Sequence, residues 1–369
     1  MSANSAFTIA VLPGDGIGPE VMAPCLALLD QVVAQVGEGA GGFRLAYESH
    51  EAGAGLYRRS GTALPGETLR RVGAADAILL GAMGLPGVHY PDGREIAPQV
   101  DLREHFGLFA GLRPVKTYPG MAVPLADPRG KQLDIALIRE STEGFFAGRG
   151  QGRMGDDRAA HETMTITRAG SERLFEFAFA LARRRKAAGL PGRVTCVDKA
   201  NIFGAFAFFR RIFDEVAARH PDIEAERCYV DAAAMRLVTR PWSFDVLVTE
   251  NLFGDILSDL GAGLMGGMGM APSADIGAAH AVFQPCHGTA PDIAGQGKAN
   301  PTAMVLSAAM MLDWLGERHG VAACCEAARL LSGAVERAYA AGDLRPYEMG
   351  GTAGTEDITG RVMEALQRS

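Results

Sequence analysis

Asp255 and Asp259 stand four residues apart in the segment Asn251-Leu252-Phe253-Gly254-Asp255-Ile256-Leu257-Ser258-Asp259-Leu260. An apolar run from Phe244 to Val248 precedes it with the length and β-branched content of a buried strand. The segment itself reads as a helix, so both carboxylates leave one face. Two stacked anions repel each other unless a positive charge lies between them. A hard divalent cation, Mg²⁺ or Mn²⁺, takes oxygen ligands and fits that role. The plain alternative is a solvated acidic helix face.

Other residues could work with such a cation. Arg103 and Arg113, ten apart, flank Phe106-Gly107-Leu108-Phe109, and Arg139 ends a strand. A guanidinium binds a carboxylate through two parallel hydrogen bonds, so three of them suit a di- or tricarboxylate; ordinary surface ion pairs are the alternative. Lys199, in Val197-Asp198-Lys199-Ala200-Asn201, follows a strand that would present it to a cleft. Buried near a cation, a lysine can lose its proton and act as a base. Asp231, in Tyr229-Val230-Asp231-Ala232, adds a third carboxylate at a strand end. His287-Gly288-Thr289-Ala290-Pro291-Asp292 is a loop that could hold a nucleotide or be an ordinary turn.

Alternating strands and helices must position these groups, which predicts an α/β fold with a largely parallel sheet. Strands are expected at Thr8–Leu12, Ala77–Leu80, Asp134–Arg139 and Val194–Asp198. Helices are expected at Pro19–Val36, Ser171–Ala188 and Phe203–Arg219, with a glycine-rich link over Gly261–Gly269. The polar stretch from Gly148 to Glu162 suits an exposed arm. Gly14-Asp15-Gly16-Ile17-Gly18 lies between strand and helix, but its third glycine comes one residue too early for a dinucleotide fingerprint. The acidic residue some twenty positions on, Asp30, falls inside the following helix. A Rossmann site is therefore rejected in favour of a tight turn near a ligand.

The 369 residues are 48% hydrophobic and carry a net charge of −7, enough for a large core in two domains. There is no basic block to favour nucleic acid. The six cysteines show no CxxC spacing and read as small buried hydrophobes. No signal-peptide pattern opens the sequence and no apolar run reaches membrane-span length, so a cytoplasmic location is expected.

Taken in order, LPGDGIGPEV, the LRP at Arg113, VDKAN, YVDA, NLFGDILSDL, HGTAPDIAGQGKANP and GGTAGTE make the chain resemble the β-decarboxylating dehydrogenases. That family holds the isopropylmalate, isocitrate, homoisocitrate and tartrate/D-malate enzymes, and isopropylmalate dehydrogenases look closest. The resemblance implies a non-Rossmann, two-domain α/β fold. Its cofactor-binding domain would be discontinuous, 1–107 with 270–369. A central domain, 108–269, would carry substrate, metal and dimer contacts, with an arm at about 148–162.

It also implies roles. Arg103, Arg113 and Arg139 would hold the substrate carboxylates. Asp255 and Asp259, with Asp231 of the partner subunit, would hold Mg²⁺ or Mn²⁺. Lys199 of the partner subunit would take the hydroxyl proton, so the enzyme would be a homodimer with shared sites. His287, Gly288, Thr289, Ala290, Pro291, Asp292 and Asn300 would hold the cofactor. Asp292, where NADP-using relatives carry Lys-Tyr, would repel a 2′-phosphate and select NAD.

Two positions depart from the family pattern. Phe146 stands where a tyrosine normally supplies the proton for the carbon left by decarboxylation. The segment that selects the substrate's third substituent reads Ile96, Ala97, Gln99 and Val100. It matches neither the paired leucines of isopropylmalate enzymes nor the serine and asparagine of isocitrate enzymes. The first expectation is thus NAD- and metal-dependent oxidative decarboxylation of a 3-substituted D-malate. Alternatives are a dehydrogenase of D-malate, tartrate, isocitrate or homoisocitrate with impaired decarboxylation, or a regulatory paralogue that keeps the pocket without turnover.

Overall fold

The computed structural model describes residues 5–37, 41–149, 152–155 and 157–368. The first third of the chain forms β1 (Ser5–Gly14), α1 (Gly18–Gly37), β2 (Phe43–Ser49), α2 (Ala54–Ser60), α3 (Gly66–Ala74), β3 (Ala77–Ala82) and α4 (Pro98–His105). The middle forms β4 (Ala110–Lys116), β5 (Asp134–Glu140), β6 (Arg153–Gly155), β7 (Ala159–His161), α5 (Arg168–Ala187), β8 (Arg193–Asp198), α6 (Gly204–Ala217) and β9 (Glu224–Tyr229). Next come α7 (Val230–Thr239), β10 (Val246–Thr249) and α8 (Asn251–Met265). The last part forms β11 (Pro272–Ile276), β12 (Ala281–Pro285), α9 (Thr302–His319), α10 (Ala322–Ala340) and α11 (Thr355–Gln367).

Ten strands make one sheet in the order β2-β1-β3-β12-β11-β4-β5-β10-β8-β9. Pairing is parallel in both outer parts and antiparallel from β12 through β11 and β4 to β5. Strands from the two ends of the chain fill one half, strands from its middle fill the other, and they meet where β11 pairs with β4. Helices cover both faces. α1, α9, α10 and α11 bury Val21, Leu28, Met311, Leu331 and Val362 in the largest core. α5 and α6 bury Phe175, Phe179, Phe209 and Phe213 in a second core, their rings 4.6–5.6 Å apart. Strands buried on both faces explain why Ala77–Ala82 and Val246–Thr249 are apolar runs without alternation.

The expected glycine link over Gly261–Gly269 is corrected. α8 continues through Gly261 and Gly263 and stops only at Gly266, which adopts the left-handed conformation at φ 110°. Gly261 serves packing: a Cβ there would lie 2.6 Å from Cγ2 of Val115 on β4. Between 148 and 162, β6 and β7 pair as a small antiparallel hairpin, and β7 is exposed. Gly150, Gln151 and Asp156 of the expected arm lie outside the described residues. All six cysteines are free, four buried and two, Cys286 and Cys325, half-buried. No described helix is long and apolar enough to cross a membrane.

Candidate active site

A cavity of about 360 Å³ opens where the two halves of the sheet meet. Its walls include Arg103, Arg113, Arg139, Phe146, Asp255, Asp259, Gln284, His287 and Gly288, with Gln99 and Val100 on one side. Residues as far apart in sequence as Leu80 and Gly288 thus converge on one space.

The acidic wall is built by α8. The Glu250 carboxylate accepts hydrogen bonds from the Leu252 (3.1 Å) and Phe253 (2.7 Å) amides and caps the helix start. From this fixed start Asp255 and Asp259 project into the cavity one turn apart, with Ser258 between them. Burial and the neighbouring Asp255 charge raise the Asp259 carboxyl above its ordinary value. Such mutual repulsion is what a bound cation relieves, so the pair suits a hard metal ion. Asp255 and Asp259 are the two carboxylates that α8 brings here. Among the described residues no cluster of three or more His, Cys, Asp or Glu side chains could hold an ion.

Sequence reasoning missed the group that organises the arginines. Asp275, fully buried on β11, accepts from Arg103 Nε at 3.0 Å, Arg113 Nη2 at 3.5 Å and Gln284 Nε2 at 2.7 Å. Arg113 also donates to the Ser273 hydroxyl. Burial works to raise the Asp275 carboxyl, but the charges of Arg103, Arg113 and Arg139 outweigh it and hold the pKa below the usual range. An acidic residue in the otherwise apolar stretch around Ser273 and Ile276 was the available signal.

Arg139 leaves β5 and donates to Asp255 and to Asn251 Oδ1, at 2.9 Å from Nε and 2.6 Å from Nη2. Burial and the nearby Arg103 charge bring its pKa down to about 10. The Phe146 ring lies 4.9 Å from this guanidinium and faces the cavity with no hydroxyl. Just beyond it, Arg149 bonds Asp101 (2.5 Å) and Glu104 (3.1 Å) on α4. This clasp ties the wall carrying Gln99, Val100 and Arg103 to the wall carrying Phe146.

His287 and Gly288 also line a second cavity of about 290 Å³, with Ile17, Gly269, Ala290, Asn300 and Glu348. Glu348 accepts from the Gly269 amide (3.0 Å) and from Asn300 Nδ2 (2.9 Å). The Thr289 carbonyl accepts from the Ile17 amide at 2.8 Å. Gly16, at φ 57°, makes this approach feasible, because a Cβ there would lie 2.1 Å from the Thr289 oxygen. Asp15 accepts from the amides of Ala54, Gly55 and Gly84. The Gly14–Gly18 turn therefore anchors the loops around the cavities. Thr289 is buried, Ala290 has a φ of 35°, and Pro291 and Asp292 are exposed beyond both linings. His287 Nδ1 donates to the Gly288 carbonyl at 2.9 Å, and Nε2 is buried without a partner; burial lowers the ring's pKa and favours its neutral form, whose Nε2 can accept from a ligand donor.

Lys199 and Asp231 do not reach the cavity of their own chain. They pair with each other at 2.7 Å on another face, where the Asp231 side chain is 68% exposed. Around them lie exposed apolar side chains: Ile202, Phe203, Met235 and Val238, with Ile256 on the outer side of α8.

Comparison with known proteins agrees with this architecture. The family model described as isocitrate/isopropylmalate dehydrogenase matches residues 8–362. The 3-isopropylmalate/3-methylmalate dehydrogenase of Methanocaldococcus jannaschii is 42% identical over 363 residues, covering 96% of this chain and 99% of that one. The 3-isopropylmalate dehydrogenase of Prochlorococcus marinus is 45% identical over 343 residues, covering 90% and 91%. Among solved structures, an isocitrate dehydrogenase from Methylococcus capsulatus superposes with a TM-score of 0.83 at 36% identity, covering 98% and 99%.

Proposed function

Because the chain belongs to the isocitrate/isopropylmalate dehydrogenase family and is an oxidoreductase acting on a hydroxy acid, we propose that it oxidises and decarboxylates a 3-substituted D-malate with NAD⁺ and Mg²⁺ or Mn²⁺. The observation that carries this reading is the convergence of Arg103, Arg113, Arg139, Asp255 and Asp259 on one cavity. Three guanidiniums can grip two carboxylates, while the paired aspartates sit where a metal can bind the substrate hydroxyl. The relatives' names make 3-isopropylmalate the reference substrate.

The chain's own groups divide the work. The arginines fix both carboxylates and so align the hydroxyl-bearing carbon with the cofactor. Neutral His287, Gly288 and Asn300 are suited to the nicotinamide half of NAD. Exposed Asp292 is suited to the adenine ribose, where its charge would oppose a 2′-phosphate. A divalent cation held by Asp255 and Asp259, together with the partner's Asp231, would supply Lewis-acid polarisation of the hydroxyl. The partner's Lys199 would take the hydroxyl proton as hydride leaves carbon 2 for NAD⁺. Loss of the carboxylate on carbon 3 as CO₂ then leaves that carbon in need of a proton.

A homodimer follows from this division of labour, since Lys199 and Asp231 lie outside their own cavity. The exposed apolar side chains of α7 and α8, with Met235 58% and Ile256 60% exposed, support a docking face for the second copy. We assign strands β1–β3, β11 and β12 to a cofactor-binding domain, 1–107 with 270–369. The central domain is 108–269, and its hairpin reaches toward the partner. The compartment fitting such chemistry is the cytoplasm.

Phe146 favours a second reading, in which oxidation proceeds but decarboxylation is impaired, because the ring in the cavity has no proton to give. The test of the proposal is NADH formation from a panel of malates with Mn²⁺ present. Metal-dependent turnover of at least one member is expected, and no turnover of any would point to a regulatory chain.

A further inference from the structure

Lys199 and Asp231 touch at 2.7 Å, yet in the proposed site each has another partner: the lysine a substrate hydroxyl, the carboxylate a cation in the second chain's cavity. Their mutual contact then no longer holds them, and an exposed ion pair is in any case worth little. Something behind them must fix their spacing. The two residues leave neighbouring parallel strands. β8 and β9 pair with Asp198 opposite Tyr229, one residue before Lys199 and two before Asp231. β9 is the last strand of the sheet.

Arg210, on α6, meets both strand ends. Its Nε and Nη2 each donate to the Asp198 carboxylate at 2.7 Å, a two-pronged grip on a fully buried side chain. The same carboxylate accepts from the Ala200 amide at 2.8 Å, and the Lys199 carbonyl accepts from the Ile202 and Phe203 amides. The backbone that carries Lys199 is thereby pinned. The Arg210 guanidinium also lies 4.8 Å from the centre of the Tyr229 ring, and Lys199 Nζ lies 6.0 Å from it. One cation therefore ties the strand end that carries Lys199 to the one that leads into Asp231. α6 is already seated on the sheet by Phe209, Ile212, Phe213 and Val216, so packing alone leaves this grip unexplained. We propose that Arg210 is a positioning residue: through Asp198 and Tyr229 it holds Lys199 and Asp231 at the spacing with which they enter the partner's cavity. This rests on the two-chain site proposed above.

The experiment uses Arg210→Met, which removes the grip. Tyr229→Leu removes the ring but leaves the Asp198–Arg210 pair in place, and so guards against a folding artefact. With NAD⁺, Mn²⁺ and a malate that wild type turns over, each should lower kcat by about 10- to 10²-fold, since a displacement of about 1 Å can cost roughly 10²-fold. KM for the malate should change little, because the arginines that bind it lie on the other chain. Subunit mixing then reads what a plain loss of stability would not. Either variant mixed with Asp255→Asn should regain about one quarter of wild-type activity, because half the dimers are mixed and each has one site with native groups from both chains. Mixed with Lys199→Ala it should regain nothing beyond the parents' own activity, because both defects lie in the same contributed pair. The reverse pattern, or an unchanged kcat in either variant, would overturn the positioning role. Lys199→Ala mixed with Asp255→Asn is the control. If it regains activity while the Arg210 pattern fails, only this inference falls; if it does not, the two-chain reading falls with it.

Discussion

Replacing Asp275 with asparagine should weaken the protein far more than any surface charge would. The side chain is fully buried and is the shared acceptor for Arg103 and Arg113, with Gln284 on the same oxygen as Arg103. Asparagine keeps the shape and one carbonyl oxygen but removes the charge, leaving two buried guanidiniums facing each other. Breaking a buried ion pair by removing one partner costs about 3–5 kcal/mol. The retained acceptor argues for the lower end, so about 3 kcal/mol, equivalent to a fall of roughly 4 °C in melting temperature for a chain of this size. The loss should also depend on pH. Because the folded pKa of Asp275 lies below its unfolded value near 3.9, its stabilisation is fully present above that value. It disappears as pH falls through the depressed folded pKa, so the gap between wild type and Asp275→Asn should be wide at pH 7 and narrow below about pH 4. Thermal melts across that range are the assay. A mutant that melts with wild type at pH 7, or a gap that widens on acidification, would refute the role given to this carboxylate.

Further outcomes follow from other parts of the site. Asp255→Asn should lose most activity, with excess Mn²⁺ restoring only part, since one anionic oxygen of a hard-cation site is gone; unaltered wild-type turnover in EDTA would remove the metal from the account. NAD⁺ should exceed NADP⁺ strongly in kcat/KM, and Asp292→Lys should narrow the gap, whereas equal wild-type values would contradict the charge argument. Phe146→Tyr should raise CO₂ release relative to NADH, by less than the roughly 10²–10⁴-fold of a full general acid because other steps limit turnover. Wild-type CO₂ matching NADH one for one, at a rate the tyrosine does not improve, would reveal another proton donor.

What the sequence disclosed depended on the range of the signal. Asp255 and Asp259 were legible because four-residue spacing on a helix fixes their common face, and α8 carries them there. Arg139 and Lys199 were placed correctly at strand ends, as β5 and β8 dictate locally. Whether Lys199 faced its own cavity or another surface is a tertiary fact, and residue types alone could not decide it. Asp275 was missed for a similar reason: its partners Arg103 and Arg113 lie more than 160 positions away, brought near by the antiparallel pairing of β11 with β4. The glycine-rich stretch misled because glycine was read as a breaker of regular structure. At Gly261 its missing side chain is what lets α8 lie against β4.

The most direct test of a site shared between two chains is subunit complementation. Lys199→Ala and Asp255→Asn enzymes, each nearly inactive, are mixed under conditions where subunit exchange has been demonstrated. In a two-fold dimer with random exchange, half the dimers are mixed and each regains one site with both native groups, so about one quarter of wild-type activity should return. If no activity returns after exchange, Lys199 and Asp255 serve the same chain's site, and the account of a cavity completed by a second copy is wrong.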